Sequence, residues 1–263
     1  MSPKPTIVFV PGGWHGPETW DKLVPLLQAQ DFQTVSVDLP TTQTTSAGYS
    51  EDVQAVRQAV EAEIAKGQDV VLVAHSYGGA VAPSAIKGLA VPKDSSQQSS
   101  STGHVIGLVM IATGFLPTKV GFFEGAGGGV PPFMKVDEET GLSHLADELD
   151  PLDLFYHDLP KEEGEYRVSK LRNQSTKAFT DGTDSYAGWL DVPVWYIATV
   201  QDKPLPVFVQ KMLVQMAKDA GADVRQVREI ETGHSAMLVK PVEVVGVIVD
   251  AVGDFLKGGE VAV

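Results

Sequence analysis

The sequence predicts an α/β protein: a mostly parallel central sheet flanked by helices, with one long segment inserted between strands. Two observations lead there. Short β-branched runs alternate with helix-period segments along the chain, as in repeated βαβ units. Those runs are apolar almost throughout rather than alternating apolar with polar, as strands covered on both faces are. A length of 263 residues suits one such fold or two small domains.

The first run is Thr6-Ile7-Val8-Phe9-Val10, and residues 34–37 supply the second. Ser50 stands where it would cap the helix that follows. In that helix Val53, Val56, Val60 and Ile64 recur on one face, and Gly67 sits where it would stop. Strand-like runs at 69–74, 105–112, 193–198 and 224–230 complete the sheet. Residues 206–220 and 241–256 read as helices, each with Pro near its first turn and Gly beyond its end.

Two segments break the rhythm. Residues 92–103 are polar and rich in Ser and Gln, a loop with too little apolar surface to order itself. Residues 115–188 contain the glycine-rich run 125–129 and Pro131-Pro132, yet are too long for a structureless loop. They are expected to form a cap. The domain reading is therefore a core of 1–114 and 189–263 with a cap insertion at 115–188.

Composition narrows the function. A chain 43% hydrophobic and 21% charged is neither disordered nor fibrous. Its 20 Lys and Arg against 34 Asp and Glu leave a net charge of −14, which repels phosphate backbones and anionic lipid. Neither nucleic acid nor a membrane is an expected partner. With no cysteine, disulfides, thiolate metal sites and a Cys nucleophile are excluded. No apolar run reaches the ~18–20 residues of a membrane span, and no secretory signal pattern precedes the first strand. A soluble, cytoplasmic protein is expected.

The chemistry centres on Val71-Leu72-Val73-Ala74-His75-Ser76-Tyr77-Gly78-Gly79-Ala80. A buried strand ends, a turn of small residues follows, and a helix begins, which is the setting of a nucleophile elbow. The residues two before and two after the serine must be small; here they are Ala74 and Gly78, one methyl away from G-x-S-x-G. Ser76 is the expected nucleophile, against the plainer reading of a serine in a tight turn.

A serine hydroxyl needs a base near neutral pH. Of His15, His75, His104, His144, His157 and His234, the last follows the final strand, where loops at the carboxyl edge of a parallel sheet gather functional groups. His75 adjoins the serine and would point away from it. Asp202, at the same edge after the 193–198 strand, is expected to orient the His234 ring. The oxyanion hole should use the N–H of Tyr77 and one from the Pro11-Gly12-Gly13-Trp14-His15-Gly16 turn, with Gly13 preferred and Trp14 next. That turn fails the G-x-G-x-x-G pattern of a phosphate loop and has no Lys.

Together these residues resemble the α/β-hydrolase superfamily, and more narrowly the branch holding plant methyl-esterases and hydroxynitrile lyases. The marks are Gly12-Gly13-Trp14-His15-Gly16 followed by Trp20, His75-Ser76-Tyr77-Gly78-Gly79, Gln201-Asp202, Gly233-His234-Ser235-Ala236-Met237, and Leu154-Phe155-Tyr156-His157-Asp158-Leu159-Pro160. The order Ser76, Asp202, His234 is also the chain order of that superfamily's triads. The resemblance spans all but the Ser/Gln loop and implies an α/β-hydrolase fold. By the same resemblance, the lyases carry a Thr in the oxyanion turn and a Lys directly after the catalytic His. Here those positions hold Gly12 and Ser235, which removes the cation beside a leaving cyanide and favours an esterase.

The expected function is a cofactor-free, metal-free serine hydrolase that cleaves a small-to-medium apolar carboxylic ester, lactone or thioester through an acyl-enzyme. A pocket is expected among His15, Phe115, Phe155, Trp189 and Met237. The aromatic residues of the cap serve equally well as its own core. The alternatives are a lyase or biosynthetic reaction on the same triad and, behind these, a receptor-like binding module. Monomer and homodimer are both compatible with the sequence.

Overall fold

The computed structural model describes residues 4–91 and 103–258. The Ser/Gln loop at 92–103 lies outside the described residues except for Gly103. In chain order the strands are β1 (Thr6–Val10), β2 (Thr34–Ser36), β3 (Val70–His75), β4 (Val105–Ile111), β5 (Met134–Asp137), β6 (Leu142–Leu145), β7 (Gln174–Ser175), β8 (Val194–Thr199) and β9 (Val224–Ile230). Six of them form one sheet in the order β2-β1-β3-β4-β8-β9, every pairing parallel. This is the α/β architecture that the alternating pattern predicts.

The central strands β1, β3 and β8 are buried along their whole length, and β4 at all but one position. The strands that depart from this are the two edges. β2 is half-buried, and β9 leaves Arg225, Arg228 and Glu229 exposed, charges that discourage pairing with another chain.

The helices are α1 (Leu23–Gln28), α2 (Tyr49–Ile64), α3 (Gly78–Ala85), α4 (Phe122–Gly125), α5 (Pro151–Phe155), α6 (Lys161–Val168), α7 (Lys177–Thr180), α8 (Val207–Asp219), α9 (Ala236–Val239) and α10 (Pro241–Gly258). α10 crosses so close to β4 that a Cβ on Gly107 would stand 2.3 Å from the Phe255 ring.

α2 differs from its sequence reading in two ways. Its cap is Gly48, not Ser50: the Gly48 N–H donates to Glu51 Oε2 at 2.7 Å, so the helix opens at Tyr49. Its buried face is Tyr49, Asp52, Val56, Val60 and Glu63, while Val53 and Ile64 are only half-buried. Apolar periodicity gave the helix but not its rotation, because two of the inward residues are carboxylic acids.

Between β4 and β8 the chain builds a second, antiparallel sheet in the order β5-β6-β7 together with α4 to α7. Two arginines tie this segment to the first forty residues. Arg167 meets both carboxylate oxygens of Asp21 at 2.8 and 3.0 Å, and Arg172 reaches Asp38 at 2.6 Å and Glu18 at 3.1 Å. Among the described residues no helix is long and apolar enough to cross a membrane.

Candidate active site

β3 delivers Ser76 at the carboxyl edge of the sheet in a left-handed backbone conformation, φ +50°. Such a conformation costs a non-glycine residue roughly 1–3 kcal/mol and persists only where the surroundings impose it. Here the Ser76 N–H donates to the Ile111 carbonyl at 3.1 Å. The Ser76 carbonyl accepts from the Gly79 N–H at 2.9 Å and from Thr113 Oγ1 at 2.6 Å. Gly78 is obligatory, since a Cβ there would lie 2.5 Å from the carbonyl oxygens of both Val10 and Pro11. The elbow is thus clamped between the ends of β1 and β4.

Asp202 and His234 arrive from the loops after β8 and β9. His234 Nδ1–H donates to Asp202 Oδ2 at 2.7 Å, and both side chains are almost fully buried. The same carboxylate accepts from Thr199 Oγ1 at 2.6 Å, Gln210 Nε2 at 3.2 Å and the Leu205 N–H at 2.7 Å. Four donors converge on the Asp202 carboxylate, and the bond from Nδ1–H selects the His234 tautomer whose Nε2 can accept a proton. Ser76 Oγ and the His234 ring are not hydrogen-bonded to each other among the described residues; contacts of this kind often close only when substrate arrives.

His75, set aside in the sequence reading, lies within the site. Its ring stands 4.5 Å from that of His234, and its Nε2–H donates to the His234 carbonyl at 3.0 Å. Burial, then the neighbouring His234 and His15, hold it neutral, well below the usual histidine range.

The glycine turn after β1 is pinned peptide by peptide. The Gly12 carbonyl accepts the His15 N–H at 3.3 Å, and the Gly13 carbonyl accepts from His15 Nδ1 at 2.5 Å. His15 Nε2 in turn meets the Tyr156 hydroxyl at 2.8 Å, and burial lowers the His15 pKa to about 4. The Trp14 N–H donates to Gln174 Oε1 at 2.8 Å, so Trp14 is not an available oxyanion donor. The N–H groups of Gly13 and Tyr77 have no partner among the described residues. The two residues are neighbours, since a Cβ on Gly13 would stand 3.7 Å from that of Tyr77.

The expected pocket residues divide into two groups. Phe155 lies 5.7 Å from the His234 ring and 5.3 Å from His15, and Met237 is fully buried in the helix that follows His234. Phe115 and Trp189 instead pack against each other, with Phe115 stacked on Tyr196, at the Thr113 end of the site. Phe122 and Phe179 cover the Tyr77 ring, while Phe133, Phe155 and Phe179 surround Trp14. The aromatics of residues 115–188 therefore pack on the oxyanion turn and elbow as well as on one another. A cavity of about 240 Å3 opens beside His157, Tyr156 and Leu152; Ser76 does not line it.

The sequence reading passed over Asp52, Thr41, Gln174 and Asp158. Asp52 was findable: it falls in phase with Val56 and Val60, so an acid had to face the core. Gln174 carries no local signal, because its partner lies 160 residues away; Asp158 falls within the 154–160 resemblance but is given no role there, its partner lying 75 residues away. Among the described residues no group of three or more His, Cys, Asp or Glu could hold a metal ion.

Comparison with known proteins agrees with this fold. An alpha/beta hydrolase named nvfD, from Aspergillus novofumigatus, is 29% identical over 256 residues, covering 97% of this chain and 99% of the relative. Methylesterase 9 of Arabidopsis thaliana is 27% identical over 258 residues, 90% of this chain and 93% of its own, which agrees with the methyl-esterase resemblance. A pyrethroid hydrolase from Sphingobium faniae superposes with a TM-score of 0.72 at 20% identity, covering 95% of this chain and 97% of that one. Residues 7–247 match the alpha/beta hydrolase family, and with its sheet order and elbow in place, the chain belongs to that family.

Proposed function

We propose that the protein is a serine hydrolase that cleaves a small-to-medium apolar carboxylic ester through an acyl-enzyme. The observation that carries this reading is the buried Asp202–His234 pair, 2.7 Å apart, on loops at the same carboxyl edge of the sheet where β3 ends in a serine held at φ +50°. Ser76 Oγ attacks the substrate carbonyl while His234 Nε2 takes its proton. Asp202 keeps the imidazole oriented and stabilises the imidazolium. The N–H groups of Gly13 and Tyr77 receive the negative charge that develops on the carbonyl oxygen, each worth ~3–4 kcal/mol in the transition state. His234 then returns the proton to the departing alkoxide, and water repeats the sequence on the acyl-serine. Residues 115–188 act as the cap, and their aromatic side chains form an apolar wall over the scissile bond.

The test is labelling with a fluorophosphonate, read by intact mass, with Ser76→Ala alongside. One adduct on the wild type and none on the variant is the expected result. No adduct on a folded wild type would remove the activated serine, and with it this reading.

A further inference from the structure

Three buried side chains connect the Tyr77 hydroxyl to the Trp14 amide. The Tyr77 O–H donates to Asp52 Oδ2 at 2.8 Å. Thr41 donates to the same oxygen through Oγ1 at 2.6 Å, and to Oδ1 through its N–H at 3.0 Å. Gln174 Nε2 donates to Thr41 Oγ1 at 3.0 Å, and Gln174 Oε1 accepts the Trp14 N–H at 2.8 Å. Every hydrogen has one acceptor along this path, and Asp52 and Gln174 are wholly buried.

Asp52 is an unusual choice for that position. A buried carboxylate without a cationic partner is costly, and among the described residues Asp52 forms no ion pair; its partners are neutral donors. Burial raises its pKa to about 6 in spite of them. An apolar residue in phase with Val56 and Val60 would serve the fold better. The carboxylate is explained by what it holds: Tyr77, whose ring Phe179 and Phe122 also grip, and which directly follows Ser76. At the other end Gln174 takes up the Trp14 N–H while His15 takes up the Gly13 carbonyl, so the Gly13–Trp14 peptide plane is fixed on both sides.

We propose that Asp52 and Gln174 are positioning residues which, through Thr41, set the Gly13 and Tyr77 N–H groups as one connected oxyanion hole. Gln174 belongs to β7, so a strand of the inserted segment completes the hole that the core only half builds. This inference rests on the serine-hydrolase reading, which its test can separate from it.

The experiment uses the full chain as wild type, Asp52→Leu, Gln174→Leu, their double variant and Asp52→Asn. Turnover of p-nitrophenyl acetate is normalised to sites titrated by the fluorophosphonate, so that lost fold does not pass for lost chemistry. Each Leu variant should lower kcat by roughly 10- to 100-fold with KM nearly unchanged, the size that a small misplacement near the chemistry produces. The affinity of a boronic acid, which forms a tetrahedral adduct on serine, should fall in parallel. The double variant should lose little more than either single one, because a connected unit fails once. Asp52→Asn should recover only part of the loss, since its amide oxygen can accept from Tyr77 and Thr41 Oγ1 while its NH2 then faces the Thr41 N–H. Unchanged kcat per titrated site, or losses that simply multiply, would overturn the proposal.

Backbone amide NMR decides the connection without any substrate. The Gly13 resonance should move in Asp52→Leu and the Tyr77 resonance in Gln174→Leu; if neither moves across the network, the proposal falls. A wild type that neither labels nor turns over would sink the hydrolase reading instead, and the cross-network shifts would still report on the connection.

Discussion

The Asp158 carboxylate accepts the backbone N–H of Gly233 at 2.5 Å, one residue before His234. Its other oxygen and the His157 ring lie where a Gly233 side chain would be, at 3.0 and 2.6 Å from an added Cβ. The loop that carries His234 is therefore seated against the turn that follows α5. His75 holds the same loop from below through the His234 carbonyl.

Asp158→Ala should lower kcat by about 10-fold, since a hydrogen bond to a charged acceptor contributes about 1.5–3 kcal/mol and part of that is spent in aiming His234. The fluorophosphonate labelling rate checks it. A variant that labels at the wild-type rate would show that the loop keeps its place unaided.

Asp202→Asn should leave the protein folded but cut the labelling rate by roughly 10^3- to 10^4-fold, because an amide no longer selects the tautomer that leaves His234 Nε2 free. Measuring the melting temperature of the same sample separates the two effects. A modest loss, under 10-fold, would mean that another group orients the ring.

Stability should fall as the solution is acidified from pH 6.5 toward 4. His15 has an ordinary pKa of 6.5 and a native value of about 4, so in that window the unfolded chain binds a proton that the native state refuses. At 1.36 kcal/mol per unit this amounts to about 3 kcal/mol at the acid end, and His75 acts in the same direction. Asp52 opposes them. Its pKa rises from 3.8 to about 6, so the native state takes up a proton first and gains stability as pH falls through that range. Urea unfolding between pH 4 and 8 should show a decline for the wild type and a steeper one for Asp52→Asn. Parallel curves would contradict the assignment.

Gly78→Ala should destabilise by roughly 2–3 kcal/mol, the upper range for forcing a methyl into a filled core, because the obstacles are two backbone carbonyls that cannot rotate away. For a chain of this size that is a drop in melting temperature of about 4–12 °C. A smaller shift would indicate that the end of β1 yields.

The fold was legible because its message is repeated. Each central strand is a run of apolar, β-branched residues, which announces a buried parallel sheet, while the order β2-β1-β3-β4-β8-β9 came from the structure. The site was legible where residues sit at element ends, as Ser76, Asp202 and His234 do. Asp52 and Gln174 escaped for opposite reasons. Asp52 looks like an ordinary surface acid until the helix is rotated inward by its apolar neighbours. Gln174 lies on a two-residue strand with no pattern of its own, and its meaning depends wholly on a turn at the far end of the chain. Trp14 was misjudged for the same reason, since the group that occupies its N–H could not be foreseen locally.

The separation between Trp14 and Gln174 also bears on synthesis. Trp14 leaves the ribosome well before its amide partner, which appears 160 residues later, and before Arg172, whose N–H meets the Trp14 carbonyl at 2.8 Å and which lies only two before that partner. His234 follows later still. A nascent chain can pair β1 with β3 long before it can close the turn, so a ribosome-bound fragment ending before β7 carries Ser76 beside a glycine turn whose Trp14 amide is still without its Gln174 partner.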